Sequence, residues 1–370
     1  MTTKKLITLA AAAAVLGGLA YMSSNAKKLK TPALAGKPVL KTLDLEAVQR
    51  IEVSDNGQKG LTLESTDAGW VVSSLFGYPA DITKIRENLL ALADLKIGQV
   101  AKGKKLGDAR LVDLQDAAGK SLATLRLGEM KMREATGQMA MYGGGAYPDG
   151  RYVATEGDAV YLVKETLDAF DGDPNRWIDT QLAAVPVIQI TSAEFTVEGE
   201  RLTLAKNAGT WALDGLGEGE ELDASKLHGI DSVLGRLSFS AVADPALTDE
   251  QLGFTTGAVF RVALTGGETY TATLGAAAGA DRYFKISAAF TPEDIPVEPA
   301  EGEDPNPAVR ASKLSRNAKI AEMVNDFNAI AGKWVYLIPA YTADAMTKRR
   351  ADVVKPKEPP KPEEEAPGSE

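Results

Sequence analysis

Four methionines, Met130, Met132, Met139 and Met141, form two Met-x-Met pairs within the segment GEMKMREATGQMAMYGGGAYPDG, residues 128–150. Thioethers are soft ligands that select Cu(I), so a segment folding back as a hairpin would bring the two pairs together into a copper site. The same residues also suit an adaptable apolar flap, because methionine packs against irregular surfaces. His228 is the one histidine and could serve as a general base or metal ligand. Its place beside an apolar stripe, opposite Arg86 in an internal alignment given below, instead fits a solvated helix face. With a single histidine no Ser-His-Asp set can be composed. With no cysteine there is no thiolate nucleophile, disulfide or cysteine-based zinc site.

The remaining candidate motifs read as structure. DGDPNR (Asp171 to Arg176) offers oxygens at alternate positions as calcium loops do. Arg176, however, stands where such a loop needs glycine, and Leu182 where it needs a bidentate glutamate. A turn ending a helix is expected there. Gly143 to Gly145 lack the Gly-Lys-Ser/Thr continuation of a phosphate loop. Glu218, Glu220, Glu221 and Asp223 fit a solvated loop leading into a helix cap. A hydrolase built on clustered carboxylates therefore ranks last among the readings, and no catalytic residue or cofactor is assigned.

The elements that would position these residues come in pairs. LTLESTDAGW (Leu61 to Trp70) is echoed by LTLAKNAGTW (Leu202 to Trp211). After each tryptophan follows an aspartate with an amphipathic run, DITKIRENLLALADL from Asp81 and DASKLHGIDSVLGRL from Asp223. Without gaps the runs align Asp81 with Asp223, Lys84 with Lys226, Ile85 with Leu227, Leu92 with Leu234 and Leu95 with Leu237. Trp70, Asp81, Trp211 and Asp223 thus mark a repeat: each tryptophan is expected to plug a small core, and each aspartate to cap a helix. Ile82, Ile85, Leu89, Leu92 and Leu95 recur at helical spacing and predict a stripe lying against a sheet.

Alternation predicts strands at residues 48–55, 61–65, 109–116, 121–128, 151–155 and 159–163. In the second half it predicts them at 259–264, 268–275, 282–287 and 334–339, with a helix at 313–330. The expected fold class is α+β: two tandem copies of a β-rich module, each with an amphipathic helix packed on an antiparallel sheet. The boundaries are 1–26 for an N-terminal membrane anchor or signal sequence and 27–44 for a linker. The first repeat domain spans 45–184 and the second 185–345, with an acidic loop inserted at 291–309. A disordered Pro/Glu/Lys tail occupies 346–370.

Lys4 and Lys5 precede an apolar run from Leu6 to Met22, short for a membrane span and long for a signal core. Lys27, Lys28 and Lys30 crowd the small residues at Ser23 to Ala26, which favours an uncleaved anchor in a bacterial inner membrane with the body in the periplasm. Export with cleavage is the alternative. The net charge of -10 comes largely from residues 291–309 and the tail after Ala351, both polar and proline-rich. No compact basic stretch is read beyond the membrane-proximal lysines, which argues against nucleic acid as a partner.

The order of strand, turn, strand ending in tryptophan, Asp-capped helix, LG-terminated hairpin and a YLV-type strand resembles the bacterial domain-of-unknown-function 4340 family. LTDEQLGF (Leu247 to Phe254) is similar to the family's leucine-glycine element, and KKLGD (Lys104 to Asp108) is a degenerate version. The resemblance covers about residues 45–345. It implies a membrane-anchored extracytoplasmic protein, often encoded beside gliding-motility-type ABC transport components, and assigns no catalytic residues. The expected function is a non-catalytic periplasmic scaffold or adaptor accessory to an ABC-type transport system, with transporter subunits as partners. The alternative is a periplasmic protein binding a small ligand or Cu(I), through an inter-domain cleft or the Met-rich loop.

Overall fold

A computed structural model describes residues 34–40, 43–55, 57–135, 145–155, 157–227, 229–295 and 307–357. The chain divides into two compact units: Met1–Ser74 with Ile82–Arg176, and Leu75–Asp81 with Trp177–Glu370. Both are dominated by antiparallel sheet, with few helices. Residues 1–26, expected above to be a membrane anchor or signal sequence, lie outside the described residues. No helix among the described residues is long and apolar enough to cross a membrane.

In the first unit the strands are β1 (Arg50–Asp55), β2 (Gln58–Thr66) and β3 (Gly69–Val72). After Tyr78–Pro79 (β4), a short strand counted with the second unit, come β5 (Gln99–Val100), β6 (Arg110–Gln115), β7 (Ser121–Arg133), β8 (Tyr147–Ala154) and β9 (Val160–Val163). Within this unit they lie in the order β3-β2-β1-β6-β7-β8-β9-β5. Period-two alternation explains the register. Ile51 faces Leu63 on one side and Leu114 on the other, Val112 faces Leu125, and Leu127 faces Val153, all buried. LTL places Leu61 and Leu63 in the core, each with 0% exposure. Helix α1 (Ile82–Ala93) buries Ile85, Leu89 and Leu92, and Leu95 is buried beyond its end. Ile82 is not part of this stripe; it is half exposed.

The second unit adds β10 (Gln181–Ala183), β11 (Ile190–Val197), β12 (Glu200–Asn207), β13 (Thr210–Ala212), β14 (Glu220–Leu222) and β15 (Leu237–Ser238). It continues with β16 (Ala241–Val242), β17 (Ala258–Leu264), β18 (Glu268–Ala278), β19 (Asp281–Phe290), β20 (Tyr336–Pro339) and β21 (Val354–Pro356). Its main sheet runs β13-β12-β11-β17-β18-β19-β20-β16. Phe195 faces Phe260, Phe260 faces Ala272, and Phe284 faces both Leu274 and Tyr336. Helix α2 (Pro307–Ile330) packs Ile320 and Val324 on Ala288 of β19, with Tyr270, Phe290 and Phe327 around them. The Asn328 side-chain amide bonds both the N–H and the C=O of Ala288, at 2.9 and 2.8 Å, taking the place of a strand partner.

Several expectations are corrected. The run after Asp223 does not form an α-helix: Ala224–Lys226 is a single 3-10 turn and the described residues beyond it are turns. Gly229, with φ of 90°, and Gly235 interrupt it, whereas ENLLALA in the first unit has no glycine. Asp223 does cap that turn, its carboxylate accepting from the Ser225 N–H and hydroxyl. Trp70 and Trp211 are only partly buried; the tryptophan inside the core is Trp177, with 0% exposure.

The linker assigned to 27–44 is in part integrated. Gly36 and Val39 donate to the carbonyls of Ile97 and Leu95, and Val39 and Leu40 are buried. Residues 307–309 of the assigned acidic loop belong to α2, and residues 346–357 of the assigned tail are built into the fold. Met346 and Val353 are fully buried, helix α3 (Ala340–Asp344) and the one-turn helix α4 (Arg350–Val353) precede β21, and β21 pairs with β14.

Candidate functional site

A buried polar constellation begins at RYV, residues 151–153. β8 places Arg151 in register with Val163 of β9, and only 7% of the residue is exposed. A guanidinium so placed must find partners for its donors. Its Nε donates to the Gly128 carbonyl at 3.0 Å, and its Nη1 to the Thr166 carbonyl at 3.0 Å and Asp171 Oδ1 at 2.7 Å. Asp171 also accepts from Arg110 at 3.2 Å, and Arg110 forks onto both oxygens of Asp55 at 2.9 and 2.6 Å. The Asp55 hydrogen bond holds the Arg110 guanidinium above its ordinary pKa, with both carboxylates adding to the effect. DGDPNR thus supplies the acid of an ion-pair network, in the turn after the 3-10 segment Asp168–Phe170, as the departure from calcium-loop spacing predicted.

The second unit carries a reduced counterpart at RYF, residues 282–284. Arg282 Nε donates to the Gly275 carbonyl at 2.8 Å. In both units the accepting glycine closes an LG pair, and in both a Leu-Gly element abuts it. A Cβ on Gly128 would lie 2.5 Å from Leu106 Cδ2; one on Gly275 would lie 2.2 Å from the Leu252 carbonyl oxygen. Leu252 O also accepts from Ala276 N at 2.8 Å. Thr248 and Gln251 form a reciprocal cap just before that leucine, which sets the LTDEQLGF turn.

Within the second unit four rings meet. Tyr78 lies 5.5 Å from Phe239 and 5.3 Å from Trp334, and Phe239 lies 4.8 Å from Tyr336. Burial raises the pKa of both Tyr78 and Tyr336, that of Tyr336 further.

Met130 and Met132 lie on β7, in register with Arg151 and Pro148, with a bulge between them; Met139, Met141 and His228 lie outside the described residues. β7 and β8 extend here past the pairing of β6, which stops at Leu127, and of β9, which stops at Arg151. The resulting ribbon exposes Met132 and Tyr147 at 51% and 38%. No group of three or more His, Asp or Glu able to hold a metal occurs among the described residues.

A cleft of about 480 Å³ in the first unit is lined by residues 100–106, Arg126 and Asp158–Val160. It gathers Lys102, Lys104, Lys105 and Arg126, so the chain does hold a compact basic stretch, KGKK at 102–105. The bulk negative charge and the short spacing, which reads as a turn at Gly103, concealed it.

Comparison with protein families matches residues 70–257 to the family described as Domain of unknown function (DUF4340). No curated protein and no solved structure matches. The matched span, just over half of the chain, runs from Trp70 through Asp81, the Arg151 network, Trp211 and Asp223 to the leucine-glycine element. The chain therefore belongs to the family of domain of unknown function DUF4340.

Proposed function

We propose that the chain is a non-catalytic, membrane-anchored scaffold with its body in the bacterial periplasm, presenting two tandem copies of one β-rich module to subunits of an ABC-type transport system. The tandem reading is supported by the position-by-position agreement of strand order, β3-β2-β1-β6-β7-β8-β9-β5 against β13-β12-β11-β17-β18-β19-β20-β16. It is supported further by the arginine-to-glycine bond repeated at Arg151 and Arg282.

The observation that carries the adaptor role is the ribbon of β7 and β8. It projects beyond its neighbouring strands and offers Met132 and Tyr147, an adaptable thioether and an amphipathic ring of the kind enriched where proteins meet. Beside it the buried cation Arg151 is committed to two carbonyls and a carboxylate, a holding role rather than a reactive one. The test is purification of the full chain from solubilised membranes, with and without Met132→Glu and Tyr147→Glu together. Transporter subunits should accompany the wild type and be depleted with the variant. Recovery of no transporter subunit above a control membrane would overturn the reading.

A further inference from the structure

The basic cleft of the first unit is built from three short segments. The loop after β5 contributes Lys102, Lys104 and Lys105, β7 contributes Arg126, and the turn into β9 contributes Asp158, Ala159 and Val160. Two of the four cations are held rigidly. Lys104 donates to Glu129 and sits 3.9 Å from the centre of the Tyr152 ring; the Glu129 bond raises its pKa, so it stays charged. Arg126 donates to the Gly157 carbonyl at 2.6 Å, in the turn forming the opposite wall, and among the described residues no carboxylate lies within ion-pair distance of its guanidinium. Lys102 and Lys105 are exposed and, among the described residues, meet no carboxylate within ion-pair distance. Asp158 opposes them from the lining and Glu129 from beside Lys104, which leaves the cations in excess. Like charges gathered in a concavity repel, and a multivalent anion entering it relieves that repulsion while accepting from several donors at once.

We infer that this cleft is a binding site for a phosphate ester. The dianion is the group that three lysines and an arginine around one concavity recognise. A bare phosphate underfills the space, while the apolar wall of Val100, Leu106 and Val160 suits the carbon skeleton of an ester. The phosphate could belong to a small soluble metabolite or to a lipid headgroup; the chemistry recognised is the same. The inference concerns one cleft within the first unit and stands independently of the scaffold role.

The test uses the full chain in a neutral detergent, titrated calorimetrically with glycerol phosphate and, separately, with a short-chain phosphatidic acid, likewise a phosphomonoester, below its micelle concentration. Saturable binding of at least one is expected, and the tighter ligand identifies the source. The Lys102→Gln/Lys105→Gln pair alters only exposed side chains and should weaken binding about tenfold or more, with a shallower salt dependence. A control outside the lining of the cleft, Lys319→Gln/Lys333→Gln, should bind as the wild type does. Absence of saturable binding to both ligands, or binding that the Lys102/Lys105 pair leaves unchanged, would overturn the assignment. Circular dichroism of the double variant, matched to wild type, excludes misfolding as the cause of a loss.

Discussion

Replacing Arg151 by methionine keeps most of its apolar stem and deletes the guanidinium. The carbonyls of Gly128 and Thr166 then lose this donor, and Asp171 Oδ1 is left with Arg110. A hydrogen bond involving a charged group contributes about 1.5–3 kcal/mol, and breaking a buried ion pair by removing one partner costs about 3–5 kcal/mol. Asp171 keeps Arg110 at 3.2 Å and its side chain is 27% exposed, which places the cost at the lower end, about 3 kcal/mol. Arg282→Met removes the single bond to Gly275 at a part-buried position and should cost about 1 kcal/mol. Amide hydrogen exchange resolves the two units separately. Protection of the β6 amides at Val112 and Leu114 should fall roughly a hundredfold in Arg151→Met. The β17 amides in Arg282→Met should lose about fivefold. A loss under tenfold at β6, or equal losses in the two variants, would show that the network is not what holds β8 against the hairpin.

Three further outcomes follow from the same geometry. Gly275→Ala drives a Cβ to 2.2 Å from the Leu252 carbonyl, which is backbone, and should cost about 2–3 kcal/mol. Gly128→Ala meets the movable end of Leu106 and should cost about 1 kcal/mol; urea denaturation that reverses this order refutes the packing argument. Asn328→Ala strips Ala288 of both its side-chain bonds and should lower stability by about 1–2 kcal/mol, with faster exchange at the Ala288 amide; unchanged exchange there refutes it. Glu293 is held below its ordinary pKa of 4.5, first by the Lys313 hydrogen bond and also by Arg316. Because the folded value is the lower one, this stabilisation is complete above 4.5 and is lost as pH falls through the depressed value. The protection factors of the α2 amides around Lys313 to Asn317, each referred to the intrinsic exchange rate at the same pH, should therefore fall only on acidification below that point, and Glu293→Gln should flatten the response. Protection factors that fall on raising the pH instead would contradict the sign.

The sheets were largely legible because alternation reports burial directly. LTL at 61–63 and 202–204 puts leucines inward, and the strand runs predicted at 109–116, 159–163, 259–264 and 282–287 lie within a residue or two of β6, β9, β17 and the heart of β19. What escaped was set by tertiary context. The glycines at 229 and 235 overrode an apolar period that aligned well with α1. Val39 and Leu40, and later Met346 and Val353, are isolated apolar residues in polar, proline-punctuated stretches, too few to show a period yet buried. The Arg151 network joins positions 110, 151 and 171, distant in sequence and each ordinary alone. The Leu-Gly resemblance was visible as letters; its reason, a leucine resting where a hairpin can tolerate no side chain, needed coordinates.

The pairing of β14 with β21 sets a timetable for synthesis. Glu221 waits for Lys355, more than a hundred residues downstream, to form both its ladder contact and its ion pair. Until the last stretch has emerged, Leu222 and its neighbours present an open edge, and such edges invite pairing with the wrong chain. A ribosome stalled before Val353 would leave the second unit unlatched while the strands of the first unit had all been translated, so nascent chains arrested at that point should be cut by protease at residues 214–226 and spared in β6 to β8.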